Sequence, residues 1–335
     1  MTRLSRELIT LGLVEERDQV APERGRPSIP LAISGTGGYA AGATVHPGWI
    51  EIVLVDFSGA VIAREAHAID DAAPRRFAQI IDERLRAMAG ERTLMQSQFL
   101  GLGLAVPGPV AKASPKRRRT VDWLQDWQAI DLPDYFADFL GVPVFVENEA
   151  TCAGLAEYYD NGLISTCDSA IVLFLGHGVG AGVISRRNLF RGEYGNAGEI
   201  GGFFPLDQPR PSGIDLLRAL QTADSSITTL AEIDSHLERH AGLIAAWIDR
   251  AGEQVWLAID AGMGWIDPGA VILSGGLPPP ILRALGEKVT GGAGAITSPM
   301  RHDVPLHVSR LGSWAASIGG ALIPIHQMTA AVHGG

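Results

Sequence analysis

Three groups of residues in this 335-residue chain have types and spacings that can do chemistry. The first is Glu147-Asn148-Glu149, an amide between two carboxylates, directly after the apolar run Val142 to Val146. The second is Glu199, held among Gly192, Gly195, Gly198 and Gly201, where glycines bend the chain around one acid. An amide and carboxylates placed in this way donate and accept hydrogen bonds with a hydroxylated ligand. The third is the alternation Gly176, Gly178, Gly180, Gly182. It leaves one strand face without side chains, so that another group can approach the backbone, and a turn of this kind can cradle phosphate.

These groups need elements to hold them. Ile171 to Leu175 is a short apolar run ended by glycine and reads as a buried strand. Val142 to Val146 reads as another, followed by a helix from Ala150 to Tyr158. The carboxyl end of such a strand is where open α/β sheets bind ligands, while helix capping is the ordinary use of an asparagine at position 148. Upstream, the Gly37-Gly38 linker precedes strands at Tyr39 to Val45, Ile50 to Asp56 and Ala60 to Glu65. A helix from Pro74 to Met88 and a strand from Phe99 to Val106 follow. Lys112 to Arg119 reads as a solvated basic loop rather than an anion or DNA contact, and Trp123 and Trp127 could stack on a sugar face, although their spacing better suits core packing. Downstream, helices are expected at Asp215 to Leu220, Leu230 to His240 and Leu243 to Ala261, and strands at Ala270 to Leu273 and Leu306 to Val308. A closing helix, Ala315 to Met328, carries the small-residue face Ser317, Gly319, Gly320. At the amino end, Leu4, Leu8 and Leu11 predict a helix over Thr2 to Leu11. Strands at Leu13 to Glu16 and Ile29 to Ile33 flank the tight turn Arg24-Gly25-Arg26-Pro27.

The glycine turn, Arg191-Gly192 and Ala197-Gly198-Glu199-Ile200-Gly201, in this order and spacing, resemble the signature of the ROK family of repressors, open reading frames and kinases. The resemblance runs from about Leu4 to the last helix. It implies an α/β, actin-like ATPase (ribonuclease H-like) fold of two domains, residues 37–145 and 146–335, with the last helix packing back on the first. A partial winged helix-turn-helix, residues 1–34, would precede them. It further implies that Asn148, Glu149, Glu199 and Gly108, the last in the turn Val106 to Val110, contact a sugar. Gly176, Gly178 and Gly180 would be the remnant of a phosphate loop. Arg3 and Arg6 on the recognition helix, and Arg24 and Arg26 in the wing, would meet DNA phosphates or a narrow minor groove.

The departures from the family pattern point away from catalysis. Thr44 stands where the phosphate motif of the kinases has an aspartate, and His46, Pro47, Gly48 and Trp49 replace its Gly-Gly-Thr-Lys. Losing the acid removes the group that organises Mg²⁺, and proline removes a backbone donor. Glu149 replaces the family's catalytic aspartate; it reaches one methylene further, which suits hydroxyl binding better than a positioned base. The Asn-Glu pair resembles the xylose-repressor branch. Gly202 replaces a histidine, and Phe203 to Ser212 lacks the cysteines of the family's zinc loop, so neither zinc nor any other cofactor is expected. The resemblance therefore implies a sugar-responsive transcriptional regulator, with a sugar effector, a DNA operator where the N-terminal module is complete, and a homodimer or homotetramer. The alternatives are a sugar kinase with Glu149 in the general-base position, or a sugar-binding body without DNA or ATP function.

Composition narrows the classes further. A net charge of −10 argues against nonspecific nucleic-acid binding by the whole surface, but leaves room for a small basic reading module. Cys152 and Cys167 have no paired spacing, which argues against a disulfide framework. No apolar run approaches the ~18 residues of a membrane span, and the start does not resemble a signal peptide, so a cytoplasmic protein is expected. A helix-turn-helix braces its recognition helix with earlier helices, and Leu4, Leu8 and Leu11 have no such partner in sequence. The expectation is an upstream start or a decayed module. Reading the upstream frame tests this: in-frame codons for leucine-bearing helices support the first, and their absence argues against DNA binding.

Overall fold

A computed structural model describes residues 2–17, 29–94, 96–297 and 301–330. The leucine spacing at the amino end becomes α1 (Arg3–Thr10), whose Thr2 cap accepts a hydrogen bond from the Ser5 amide at 3.2 Å. It leads into β1 (Val14–Glu16), which pairs antiparallel with β2 (Leu31–Ile33). Leu4 and Leu11 are 64% and 67% exposed, so much of this apolar face is uncovered among the described residues. Arg24 and Arg26 lie outside the described residues.

The first sheet begins with a meander, β3 (Tyr39–His46), β4 (Trp49–Asp56) and β5 (Val61–Ala68). After α2 (Pro74–Glu91), β6 (Phe99–Val106) lies parallel to β3. A ribbon of β7 (Val110–Ala111) and β8 (Ser114–Arg118) and then α3 (Leu132–Leu140) lead to β9 (Val144–Asn148), parallel to β6. The order is β5-β4-β3-β6-β9.

The second sheet repeats this plan. After α4 (Glu149–Asp160) come the meander β10 (Ala170–Leu175), β11 (Val179–Ser185) and β12 (Asn188–Leu189). Helices α5 (Gly213–Ala223) and α6 (Ala241–Ile266) precede β13 (Ala270–Ser274), which is parallel to β10. Helix α7 (Pro279–Thr290), β14 (Ala295–Ile296) and β15 (Val304–Val308) follow, and α8 (Ala315–Ala330) closes the chain. The order is β12-β11-β10-β13-β15-β14. Each sheet thus places its first strand between a hairpin partner and a parallel neighbour. Among the described residues no helix is long and apolar enough to cross a membrane.

Three expectations are corrected here. The basic stretch is not a solvated loop: it forms the β7–β8 ribbon, and Arg118 is 5% exposed because it reaches a buried partner. The helix expected at Leu230 to His240 is a 3₁₀ segment, Leu230–His236, started by a capping box of Thr229 and Glu232. The two tryptophans separate: Trp127 packs in the core edge-on to Phe77, while Trp123 stays partly exposed.

Between the sheets, α4 and α8 meet backbone to backbone. A Cβ on Gly319 would sit 1.7 Å from the Cys152 carbonyl oxygen, one on Gly42 1.9 Å from that of Ser317, and one on Gly103 1.9 Å from that of Gly320. The small-residue face of α8 is therefore a steric requirement. Gly319→Ala is expected to destabilise by at least the ~1–3 kcal/mol typical of overpacking, because main chain cannot swing aside. Gly264→Ala, with nothing within 4 Å on helix α6, should instead stabilise by roughly 0.5–1 kcal/mol. Urea midpoints of the two variants check the contrast.

Candidate functional site

The carboxyl ends of β6 and β9 and the β10–β11 turn border one cleft. Its anchor is Glu147, the second-last residue of β9. One carboxylate oxygen accepts from Arg118 Nη2 at 3.1 Å and from the Asn148 amide at 2.9 Å; the other accepts from Arg191 Nε at 2.6 Å. Both Glu147 and Arg118 are buried. One acid thereby ties together the ribbon, the end of β9 and the Arg-Gly loop. Sequence reasoning missed the pairing of Glu147 with Arg118, because the two lie 29 positions apart and no spacing marks it.

Asn148 does two things at once. Its side-chain oxygen accepts from the Ala150 and Thr151 amides at 2.7 and 3.4 Å, capping α4. That fixes the amide so that its nitrogen donates to Glu199 Oε1 at 2.9 Å and to the Gly108 carbonyl at 3.3 Å. Gly108 (φ +101°) abuts the Arg119 carbonyl, and Gly198 (φ +90°) abuts that of Ala181, where a Cβ would lie 2.1 and 2.0 Å away respectively. No other residue type fits either turn. The Gly198 turn, tied down by the Ala181 amide at 2.9 Å, is what sets Glu199 opposite Asn148.

The structure thus joins Asn148, Glu199 and Gly108 by direct hydrogen bonds and places Glu149, Gly178 and Gly180 on the same cavity of about 120 Å³. Gly176 borders an adjoining cavity of about 440 Å³. The close approach that the bare strand face allows is made by the start of α4. A Cβ on Gly180 would meet the Ala150 side chain at 2.7 Å, and one on Gly182 the Ala150 carbonyl at 2.6 Å, so the start of α4 occupies it. Arg3 and Arg6 stand on exposed α1, Arg3 paired with Glu7 at 2.9 Å, and do not line either cavity.

Across the cleft, the β3–β4 hairpin presents His46 and Pro47. Thr44 turns its hydroxyl to the Ala105 carbonyl at 2.9 Å and is buried. The His46 ring stacks on Trp49 with centroids 4.0 Å apart, and its Nε2 lies 3.6 Å from fully buried Glu51, too far for a hydrogen bond. Loss of surrounding water raises the Glu149 carboxyl above the ordinary range; His46 opposes this and the like charge of Glu199 adds to it. Glu199 is also raised by crowding of protein around it, against the pull of Arg118. A carboxyl that keeps its proton longer can donate to, as well as accept from, a hydroxyl. Burial, then His46, lowers the His177 imidazole to about 4.

The residues present do not fit zinc. Cys152 is buried within α4, Cys167 precedes β10, and the loop after Gly202 has no thiolate. Among the described residues, no three His, Cys, Asp or Glu side chains are grouped so that they could hold a metal ion.

The ROK family profile matches residues 42–290. A Sinorhizobium fredii relative, the uncharacterized protein y4fQ, is 31% identical over 331 residues, covering 98% of this chain and 83% of its own. The xylose repressor of Bacillus spizizenii is 25% identical, covering 96% of this chain and 85% of its own. Among solved structures, a ROK hexokinase from Thermus thermophilus matches with a TM-score of 0.66 at 22% identity, over 87% of this chain and 99% of its own. A ROK family transcriptional regulator, a homolog of the E. coli MLC protein, matches with a TM-score of 0.65 at 18% identity, over 99% of this chain and 90% of its own. The fold is the actin-like one these proteins share.

The His177 shift has a sign that can be tested. Its folded pKa lies below the ordinary 6.5, so the unfolded chain takes up the proton first. The stability tied to the neutral ring is complete above pH 6.5 and is lost as pH falls towards 4, by at most about 3 kcal/mol. His177→Asn should flatten this part of the acid limb in urea midpoints measured from pH 7.5 to 4.

Proposed function

The chain belongs to the ROK family, and we propose that within it the protein is a transcriptional regulator that binds a sugar or sugar derivative in the cleft and controls carbohydrate-metabolism genes. The observation that carries this reading is the mismatch between the two walls of the cleft. One wall keeps Asn148, Glu199 and Gly108 in a hydrogen-bonded array, with Glu149 beside them on the cavity. The facing hairpin carries Thr44, committed to Ala105, and Pro47, which has no N–H.

Phosphoryl transfer is largely positioning and neutralisation of phosphate charge by metal and cations. Arg118 and Arg191 are engaged with Glu147 rather than turned to the cleft. Glu149 in the general-base position has no partner array to hold a triphosphate. The hexokinase likeness argues for the fold and by itself says nothing of activity. The likeness to a regulator extends over 99% of this chain, against 87% for the hexokinase, and supports assigning residues 1–34 to DNA reading and the two sheet-bearing units, 37–145 and 146–335, to the effector. A sugar that closes the cleft would then shift the orientation of DNA-binding halves in a homodimer or homotetramer.

Three measurements test this. A coupled assay with ATP, magnesium and a hexose panel should show no turnover; rates in the ordinary kinase range of about 1–100 s⁻¹ overturn the proposal. A cognate sugar should raise the melting temperature, and Glu199→Gln or Asn148→Ala should weaken its binding by about tenfold or more. A gel shift with the upstream promoter separates a regulator from a sugar-binding body that no longer reads DNA.

A further inference from the structure

We propose that the effector is a glycoside bearing an apolar aglycone, an aryl group above all, rather than a free or phosphorylated sugar. The inference rests on the reading of Asn148, Glu149 and Glu199 as the sugar-binding end, and extends it to the rest of the ligand.

The cavity of about 120 Å³ and the cavity of about 440 Å³ share a wall: His46, Glu149 and His177 line both. The smaller one holds Asn148, Glu149 and Glu199 beside the apolar side chains of Val121 and Trp123. The larger is walled by Pro47, Trp49, Phe174, Ile214, Leu217 and Leu230. Phe174 and Leu217 are 5% and 6% exposed, so its floor joins the core between the sheets through Phe174 and the helical side of the second sheet through Leu217. Trp49, stacked on His46, adds an aromatic wall where the two cavities meet. Of the polar groups on its rim, the Thr228 amide and hydroxyl and the Thr229 amide all donate to Glu232, while His46 Nε2 has no hydrogen-bond partner among the described residues.

The charges on these walls select against an anion. A phosphate would face the carboxyls of Glu149 and Glu199, while Arg118 and Arg191 are held on Glu147 and His177 is neutral at physiological pH. A free monosaccharide seated on Asn148 and Glu199 would leave the apolar chamber filled with water. An apolar group attached to the sugar on the side of His46 and His177 would displace that water and bury its own surface. Burial of a phenyl-sized group corresponds to about a ten- to hundredfold gain in affinity.

Calorimetric titration of the full chain tests this with matched pairs: xylose, glucose, galactose, mannose and N-acetylglucosamine, each against its phenyl glycoside in both anomeric forms, with glucose 6-phosphate and ATP–magnesium alongside. One phenyl glycoside is expected to bind about ten- to a hundredfold tighter than its parent sugar. Two substitutions, Ala231→Trp, which fills the chamber from an exposed 3₁₀ turn, and Ile214→Asp, which polarises its wall at a half-buried position beside the core, should bring that ratio towards one. Equal binding of parent and glycoside, both lost in Glu199→Gln, overturns the aglycone proposal and leaves the sugar-site reading standing. Binding of ATP–magnesium that Ala231→Trp blocks overturns it in favour of a nucleotide, and tighter binding of glucose 6-phosphate than of glucose overturns it in favour of a phosphorylated sugar. No binding by any sugar or glycoside, with protein that melts cooperatively, overturns both readings.

Discussion

The carboxylate of Glu147, gripped by Arg118 and Arg191, is the interaction on which the cleft depends. Taking charges out of water is costly, and a buried ionic group earns its place only when its remaining valences are filled. Here they are: two guanidiniums and the Asn148 amide share two oxygens. The result is geometric rather than a large gain in stability. Three segments distant in sequence are brought to one point, and the next residue along the chain, Asn148, inherits a fixed position. The same arrangement removes both arginines from the pool of cations that a phosphate would need.

Asn148 transmits that position to the site. Because its oxygen is committed to the first turn of α4, its nitrogen can point only one way, towards Glu199 and Gly108. The glycines at 108 and 198 complete the array from the other side, since each puts main chain where a side chain would collide. A helix cap, which in most proteins serves stability alone, here also aims an amide nitrogen at Glu199 and Gly108. A second buried acid does similar work deeper in the fold: Glu157 on α4 accepts from the hydroxyls of Ser274 and Ser309, at the ends of β13 and β15, and fastens that helix to the second sheet.

Much of this was legible in the amino-acid order. The strand Phe99–Val106 appears with the bounds that its apolar run predicts, because a buried parallel strand is marked at both ends by the loss of hydrophobicity. The cap at Asn148 and the turn holding Glu199 are local, and local chemistry writes them plainly. Arg118 was not legible: four consecutive basic residues look solvated, and only tertiary structure shows that one of them turns inward to an acid 29 positions away. Trp123 and Trp127 have equivalent spacing but unequal fates, because the core beside Phe77 and Phe136 takes one indole. The alternate glycines signalled a close approach correctly, but a pattern of absent side chains does not say what approaches; α4 does.

The seam where α8 meets α4, β3 and β6 has a mechanical consequence. Interdigitated side chains lock two surfaces together, since any rotation must pass through strained rotamers. At Gly42, Gly103, Gly319 and Gly320 there are no such teeth, only main chain lying on main chain. The spacing of the two sheets is therefore set at these points by main-chain thickness, while Ile318, Leu322 and Ile323 of α8 interdigitate with the core alongside, so bulk added at any of the four would force the layers apart.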